Sequence, residues 1–393
     1  MLLRTLLAAA VLLLLPAAAH ADSIVFVKDG NVWVSSPDGS GQRALTRDGS
    51  ADSPYRSPSQ ADDGTVAASF GDGIRLIDRG GRLLRELDPP PLTNSVSHPM
   101  DGVPVDVAIS PDGRRIAYTF AGVSCPVGAS CGARAATGFV TAGGEPLPGN
   151  LYLSNPNWVD NTRTLLFGGY LHQVNTHDQG AASEVHWFDD QDVQGEGYES
   201  TDLGDGELSR AGDRLALVRG YGDDTHIMWF TTNGAPPAIP SMACMTGKLD
   251  GLHGPTWAPD GQSLAWGEPD GVWIKPSALD CTVQPALVVP GGAEPDWGPA
   301  GVAAPARPTL RAAATKKRVK LSVPCAAACT VDAKLIRKGR RIAARRVTLG
   351  AAGTARLTLK PRKRLTGKVT VRATVRLAGG PATTLKKVLR VSR

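Results

Sequence analysis

Short apolar runs, each broken within a few positions by Gly, Asp, Asn or Pro, fill the first three quarters of the chain. Ile24-Val25-Phe26-Val27, Asn31-Val32-Trp33-Val34, Gly73-Ile74-Arg75-Leu76-Ile77, His226-Ile227-Met228-Trp229-Phe230 and Gly271-Val272-Trp273-Ile274 are rich in β-branched and aromatic residues. No long helical period interrupts them, so they predict short strands. A second pattern overlies the first. Ile109-Ser110-Pro111-Asp112-Gly113 through Ile116-Ala117-Tyr118 returns as Trp257-Ala258-Pro259-Asp260-Gly261 through Leu264-Ala265-Trp266. Weaker copies start at Trp158 and Leu208, so the anchors at 109, 158, 208 and 257 lie 49, 50 and 49 residues apart. Asp-Gly allows a tight reversal between strands. A repeat of about fifty residues holding four short strands is the signature of a propeller blade.

The repeats predict six units. One more starts near Tyr55 and runs through Asp62-Asp63-Gly64, and the last is split. Ile24–Val27 begins without an anchor phrase, whereas Pro295-Asp296-Trp297 ends with one and has no continuation. The C-terminal segment is therefore expected to complete the N-terminal blade, a closure that leaves no free sheet edge. The expected fold is all-β: a six-bladed β-propeller over 22–302, its ring closed by N- and C-terminal strands, then a small β-sandwich. Most of the Trp residues occupy repeat-equivalent positions and are read as core, with Trp187 and Trp229 the least determined.

The Ser-Pro-Asp-Gly-x-x-Ile-Ala-Tyr phrase, followed by a Gly-x-Trp-Ile/Val strand, resembles the WD40-like (PD40-type) repeats of the TolB-like superfamily, whose namesake is the propeller protein of the periplasmic Tol system. The resemblance covers about 280 residues. It implies fold and says little of function. The α/β domain that precedes the propeller in the Tol protein has no room here, and the hydrolase domain that follows related peptidase propellers is absent.

Composition then divides the chain. Segment 307–393 holds 25 Lys and Arg against one acid, Asp332, a formal +24. Segment 22–306 carries 17 basic and 36 acidic residues, a formal −19. Residues 303–309 read as a Pro/Ala linker. In 310–393, strict alternation such as Val369-Thr370-Val371-Arg372-Ala373-Thr374-Val375 predicts about seven short strands and resembles an immunoglobulin-like sandwich. Residues 1–21 combine Arg4, the apolar run Leu6–Leu15 and Ala19-His20-Ala21, the pattern of a signal peptide cut after Ala21. The expected location is secreted, periplasmic or cell-surface associated, with no transmembrane segment after cleavage. Six cysteines suit that address and are expected to pair as Cys125–Cys131, Cys244–Cys281 and Cys325–Cys329, because each pair lies within one repeat or domain.

Candidate chemistry is sparse. Gly128-Ala129-Ser130-Cys131-Gly132 has the letters of a nucleophile elbow, but it lies in a Gly/Ala-rich insertion with no helix after it. His172, His177 and His186, with Asp178, Glu184, Asp189 and Asp190 nearby, could ligate a divalent metal, although their spacing fits no standard motif. The run Asp190–Gly195 has the start of a calcium loop but Thr201 where the bidentate Glu belongs. No catalytic residue and no cofactor beyond that metal is expected. Arg337, Lys338, Arg340, Arg341, Arg362, Lys363 and Arg364 are the candidate contacts to an anionic surface. The same charge could instead dock intramolecularly or simply keep the domain soluble. Without aromatic groups for stacking, nucleic acid is not expected as a partner.

The functional expectation is a secreted, non-catalytic binding or scaffold protein. Its propeller mouth, rimmed by loops 121–149 and 168–183, recognises a protein or polysaccharide of the cell envelope, and its basic sandwich is the tether. The alternative is a metal-dependent lyase or hydrolase acting on an extracellular polymer.

Overall fold

The computed structural model describes residues 22–125, 130–168, 173–189, 192, 203–220, 222–234, 238–302, 309–325, 329–350, 353–377 and 382–392. The chain forms two compact units, the first lying within residues up to Val302 and the second consisting mainly of residues after it.

The first unit is a propeller of four-stranded antiparallel sheets, six in number among the described residues. Its inner strands are Arg56–Gln60, Asp106–Ile109, Ser154–Trp158, Leu203–Leu208, His253–Trp257 and Ala293–Gly298. Each touches the next, and Ala293–Gly298 touches Arg56–Gln60, so the inner strands form a closed cycle. Closure is made as the sequence predicts. Ala293–Gly298 pairs with Ser23–Lys28, placing Trp297 opposite Ile24 and Asp296 opposite Val25.

Glycine turns explain why three of the units reverse where they do. Gly113, Gly212 and Gly261 all adopt positive φ (70°, 70° and 67°), which a side chain would resist. Each donates its N–H to the carbonyl three residues back, on Ser110, Ser209 and Ala258. The following strands bury apolar residues on both faces, because each sheet is packed between two others. The buried side chains accordingly form separate clusters between successive sheets. One joins Ile24, Phe26 and Trp297 to Ala265, Val272 and Val289, so it lies across the closure itself.

Tryptophans bind neighbouring repeats at their indole nitrogens as well as by area. Trp158 Nε1 donates to the Ala108 carbonyl at 3.0 Å and Trp257 Nε1 to the Glu207 carbonyl at 3.2 Å, each reaching back 50 residues. Trp187 and Trp229 are buried too and donate to Ala238 and Ala278, which settles both as core.

The described residues of the Gly/Ala-rich insertion form a long hairpin. Arg115–Ser124 and Gly132–Thr141 pair along their whole length, and Cys125–Cys131 closes the hairpin end. Cys244–Cys281 ties the outermost strand of the fifth sheet to a loop of the sixth.

The second unit is a two-sheet β-sandwich. Arg311–Ala314, Val319–Cys325 and Gly353–Leu359 form one sheet. Arg340–Leu349, Cys329–Arg337, Gly367–Leu377 and Ala382–Val391 form the other, in that spatial order. Alternate residues such as Val319, Leu321, Val331, Leu335, Val369 and Val371 fill a single core. Cys325–Cys329 spans the short connection between strands of different sheets, a local staple that also links the two layers.

Among the described residues no helix is long and apolar enough to cross a membrane.

Candidate functional site

Ten polar residues of the inner strands, with Ala108 and Gly254, stand in two columns, one and three positions before each anchor or its equivalent. The nearer column is Ser59, Ala108, Asn157, Glu207, Thr256 and Asp296. The farther one is Ser57, Asp106, Asn155, Asp205, Gly254 and Glu294. At five of the six far positions the backbone turns left-handed, with φ of 45° at Ser57, 48° at Asn155, 39° at Asp205, 57° at Gly254 and 51° at Glu294. Register shifts accompany all five, so each is a β-bulge. A bulge re-aims side chains and costs backbone energy that something else must offset.

What offsets it is a belt of hydrogen bonds from the backbone of one inner strand to a side chain of its neighbour. Ser57 N–H donates to Glu294 Oε2, Val107 N–H to Ser57 Oγ (2.8 Å), and Asn155 N–H to Asp106 Oδ2 (3.2 Å). Gly254 N–H donates to Asp205 Oδ2 (2.6 Å) and Glu294 N–H to His253 Nε2 (3.1 Å). Since His253 Nε2 accepts, its proton sits on Nδ1, which lies 2.8 Å from the Gly251 carbonyl. The near column repeats the device. Gln60 N–H donates to Asp296, Ile109 N–H to Ser59 Oγ, Trp257 N–H to Glu207 Oε1 and Trp297 N–H to Thr256 Oγ1.

Charge accumulates where these columns converge. Burial raises the Asp106 carboxyl to about 6, with Asp205 adding like-charge repulsion. Asp205 is itself raised by burial. Burial, and then the neighbouring Asp296, push Glu207 up to about 8, while burial raises Asp296. Arg210 acts against both of these last two. Removing a carboxylate from water disfavours its charged form, which is the common cause.

A cavity of about 240 Å³ opens at the anchor end of these strands. Ser59, Gln60, Asn157, Glu207, Arg210 and Asp296 supply its polar lining, and Trp158 and Trp297 part of its apolar wall. Five of the six inner strands contribute to it. Its rim is made by the turns that follow them, at Pro111, Asp160-Asn161 and Arg210. Arg210 is held there by an ion pair to Asp62 at 2.6 Å.

That rim differs from the expected one. None of the lining residues belongs to 121–149 or 168–183. Strand direction explains it: those stretches join the second strand of a sheet to the third, or run on from it. In an antiparallel sheet that connection lies at the opposite end from the Asp-Gly turn joining the first strand to the second.

The candidate metal ligands that the structure describes have different surroundings. His172 lies outside the described residues. His177 is buried, stacked on Phe139 with 5.1 Å between ring centroids, and its Nε2 lies 3.2 Å from the Ala181 carbonyl. Asp178 pairs with Arg163. His186 is exposed, and its ligand-type neighbours are Asp189 and Asp192, all three within 4.8 Å. That trio could hold an ion, but it sits at the outermost strand of the fourth sheet. Three strand spacings, roughly 14 Å, separate that strand from the inner one. Most of the calcium-like run 190–195 lies outside the described residues. Ser130 is exposed in the hairpin connection and leads into the strand Gly132–Thr141, so the strand-to-helix turn of a nucleophile elbow is missing.

The candidate surface cations lie mostly at the surface. Lys338, Arg340, Arg341, Arg362, Lys363 and Arg364 are exposed, and Arg337 is half-buried with a hydrogen bond to Thr366. The inner-strand carboxylates were missed by motif reading, which looks for chemistry in unusual strings. Aligning the repeats on their anchors and reading the polar columns before them would have found them.

No protein-family model matches the chain, and no curated protein matches it in sequence. Similar solved structures include a TolB-like protein of Agrobacterium tumefaciens, with 13% identity over 70% of this chain and 91% of that one, at a TM-score of 0.45. A protein of unknown function from Bacteroides caccae has 11% identity over 70% and 98% of the two chains, at 0.42. Hydrazine synthase of Kuenenia stuttgartiensis has 13% over 63% and 71%, at 0.39. A likeness of this degree says nothing about ligand or chemistry.

Proposed function

We propose that this is an exported, non-catalytic binding protein whose propeller takes its ligand at the Asp-Gly face. The observation that carries the reading is the cavity, to which five inner strands contribute and whose rim is built from the repeat's own turns. At about 240 Å³ it is smaller than the pockets that enclose drug-sized molecules. It suits the end of a larger chain, one sugar unit or one side chain of an envelope polysaccharide or protein. Arg210 offers a charged donor, and Glu207, held largely protonated near neutral pH, offers a second donor where a carboxylate would only accept.

The export part rests on the pattern of residues 1–21 and on three disulfides, which favour an oxidising compartment. Seven strands in two sheets support an immunoglobulin-like reading of the second unit, with the fourth strand paired to the third. Its excess of cations supports a tethering role at an anionic envelope.

The test is binding of the mature chain, 22–393, to envelope-derived glycans and peptides on an array, beside an Arg210→Glu variant. Retention of a specific ligand by the wild type and its loss in the variant is the expected result. Unchanged binding in the variant would move the site away from this cavity. The alternative of a metal-dependent enzyme draws on the His186, Asp189 and Asp192 trio, whose place on an outer strand gives it no part in the cavity.

A further inference from the structure

Ten of the cations of the second unit are carried by turns that meet at one end of it, a fact that only strand register reveals. The turn between Ala314 and Val319 carries Lys316, Lys317 and Arg318, all exposed. Val319 pairs with Leu359, so the connection carrying Arg362, Lys363 and Arg364 leaves the sheet beside that turn. Leu365 N–H donates to the Lys316 carbonyl at 2.8 Å, joining the two. The hairpin bearing Lys338, Arg340 and Arg341 meets the same place, since Arg337 donates to Thr366 Oγ1 at 2.8 Å. Asp332 pairs with Arg346, farther along the hairpin, and none of these turns contains an acid.

The other end is its opposite. Cys325 pairs with Gly353, and Cys329 with both Leu349 and Leu377, so three connections leave there. Their sequences are Ala326-Ala327-Ala328, Gly350-Ala351-Ala352 and Ala378-Gly379-Gly380-Pro381, without one charge. Like charges brought together repel, and a sandwich that only needed solubility would spread them. Residues 307–393 contain no Phe, Trp or Tyr, so the basic end lacks stacking groups for nucleic-acid bases and aromatic anchors for insertion into a bilayer. Leu365, the apolar residue among these turns, is buried.

We infer that this basic end is the docking surface of the second unit, and that it adsorbs to the headgroups of an anionic phospholipid bilayer without inserting. The inference rests on the tether reading above and names its surface and partner. A patch built from the tips of three turns at the end of a sandwich matches a plane of negative charge, whereas a linear polyanion is matched by a stripe. Adsorption of this kind is screened by salt and depends on the fraction of anionic lipid.

The experiment is sedimentation of the mature chain with vesicles of phosphatidylglycerol and phosphatidylcholine, with phosphatidylcholine vesicles and long-chain polyphosphate as separate arms. The end variant is Lys338→Gln, Lys363→Gln, Arg364→Gln. The control, with equal charge loss, is Lys334→Gln, Arg372→Gln, Lys386→Gln, a row of cross-strand neighbours on the open face of the four-stranded sheet. Melting curves matching the wild type keep folding out of the comparison. We expect binding to the anionic vesicles alone, lost at high salt, weakened at least about tenfold in the end variant and far less in the control. Equal losses in both variants would overturn the end as the docking surface and leave the tether standing. Binding to polyphosphate but not vesicles would overturn the bilayer as partner, and binding to neither would remove both the docking surface and the tether.

Discussion

Asp296 accepts the backbone N–H of Gln60, and its own carbonyl receives Gln60 Nε2 at 2.7 Å, across 236 residues of chain. This doubled contact joins the strand that closes the ring to the inner strand of the next sheet. It is also where a buried acid does structural work: Ser59 donates to Asp296 while its Oγ accepts from Ile109 N–H, so one carboxylate organises three strands.

Asp296→Ala should therefore lower unfolding stability by about 2 kcal/mol, because a buried backbone donor loses its acceptor. Asp296→Asn keeps an acceptor oxygen and removes the buried charge, so its loss should be clearly smaller. Denaturant titration of both variants, read from tryptophan emission, checks the order. Equal losses would mean that the charge, not the acceptor, matters.

Glu207 gives a pH prediction of definite sign. Its carboxyl lies above the ordinary value, at about 8, so the folded state prefers it protonated. Stability from this group is fully present below its unfolded value and is lost as pH rises through about 8. Glu207→Gln keeps an oxygen for Trp257 N–H and cannot ionise. Relative to wild type it should gain stability steadily as pH rises from 5 to 8, by about 1.4 kcal/mol per pH unit at most, and level off above that, where both states are ionised. Calorimetric melting at four pH values would show this, and a difference constant with pH would refute it.

Cys244–Cys281 joins residues 37 positions apart and fastens the fifth sheet to the sixth at their outer parts. Cys244→Ser with Cys281→Ser should cost about 3 kcal/mol, in the range for loops of this size. Thiol titration of the denatured wild type should find no free sulfhydryl, whereas the Cys244→Ser single variant should expose one.

Cutting the chain between Gly292 and Ala293 removes the inner strand of the first sheet. Hydrogen exchange should then rise in Ser23–Lys28 as well as in the sixth sheet, His253–Pro290, against which that strand also packs. Protection retained in Ser23–Lys28 would contradict the observed closure.

The propeller was legible because its repeat is written in residues that backbone geometry requires: Asp-Gly at a reversal and Trp at an inter-sheet contact. The hairpin Arg115–Thr141 was not, since its Gly, Ala and Thr residues lack the bulk by which strands are recognised. The polar inner-strand columns were hidden for another reason. Polar residues at alternate positions read as an ordinary solvent face, and only the cyclic packing of inner strands turns that face inward. For the sandwich, the basic runs were visible one by one, but their convergence depends on register, which a lone sequence fixes weakly on a Thr- and Ala-rich strand.

The closure has a consequence for the order of events during synthesis. Ser23–Lys28 is the earliest strand of the propeller in chain order, yet its partner is among the last parts of the propeller to be made, and Trp297 Nε1 reaches Asp22 over a separation of 275. Contacts of such span form slowly, because the intervening chain must be organised before they can. Until then the first strand holds an unpaired edge, so the nascent propeller depends on being kept from other chains for most of its translation.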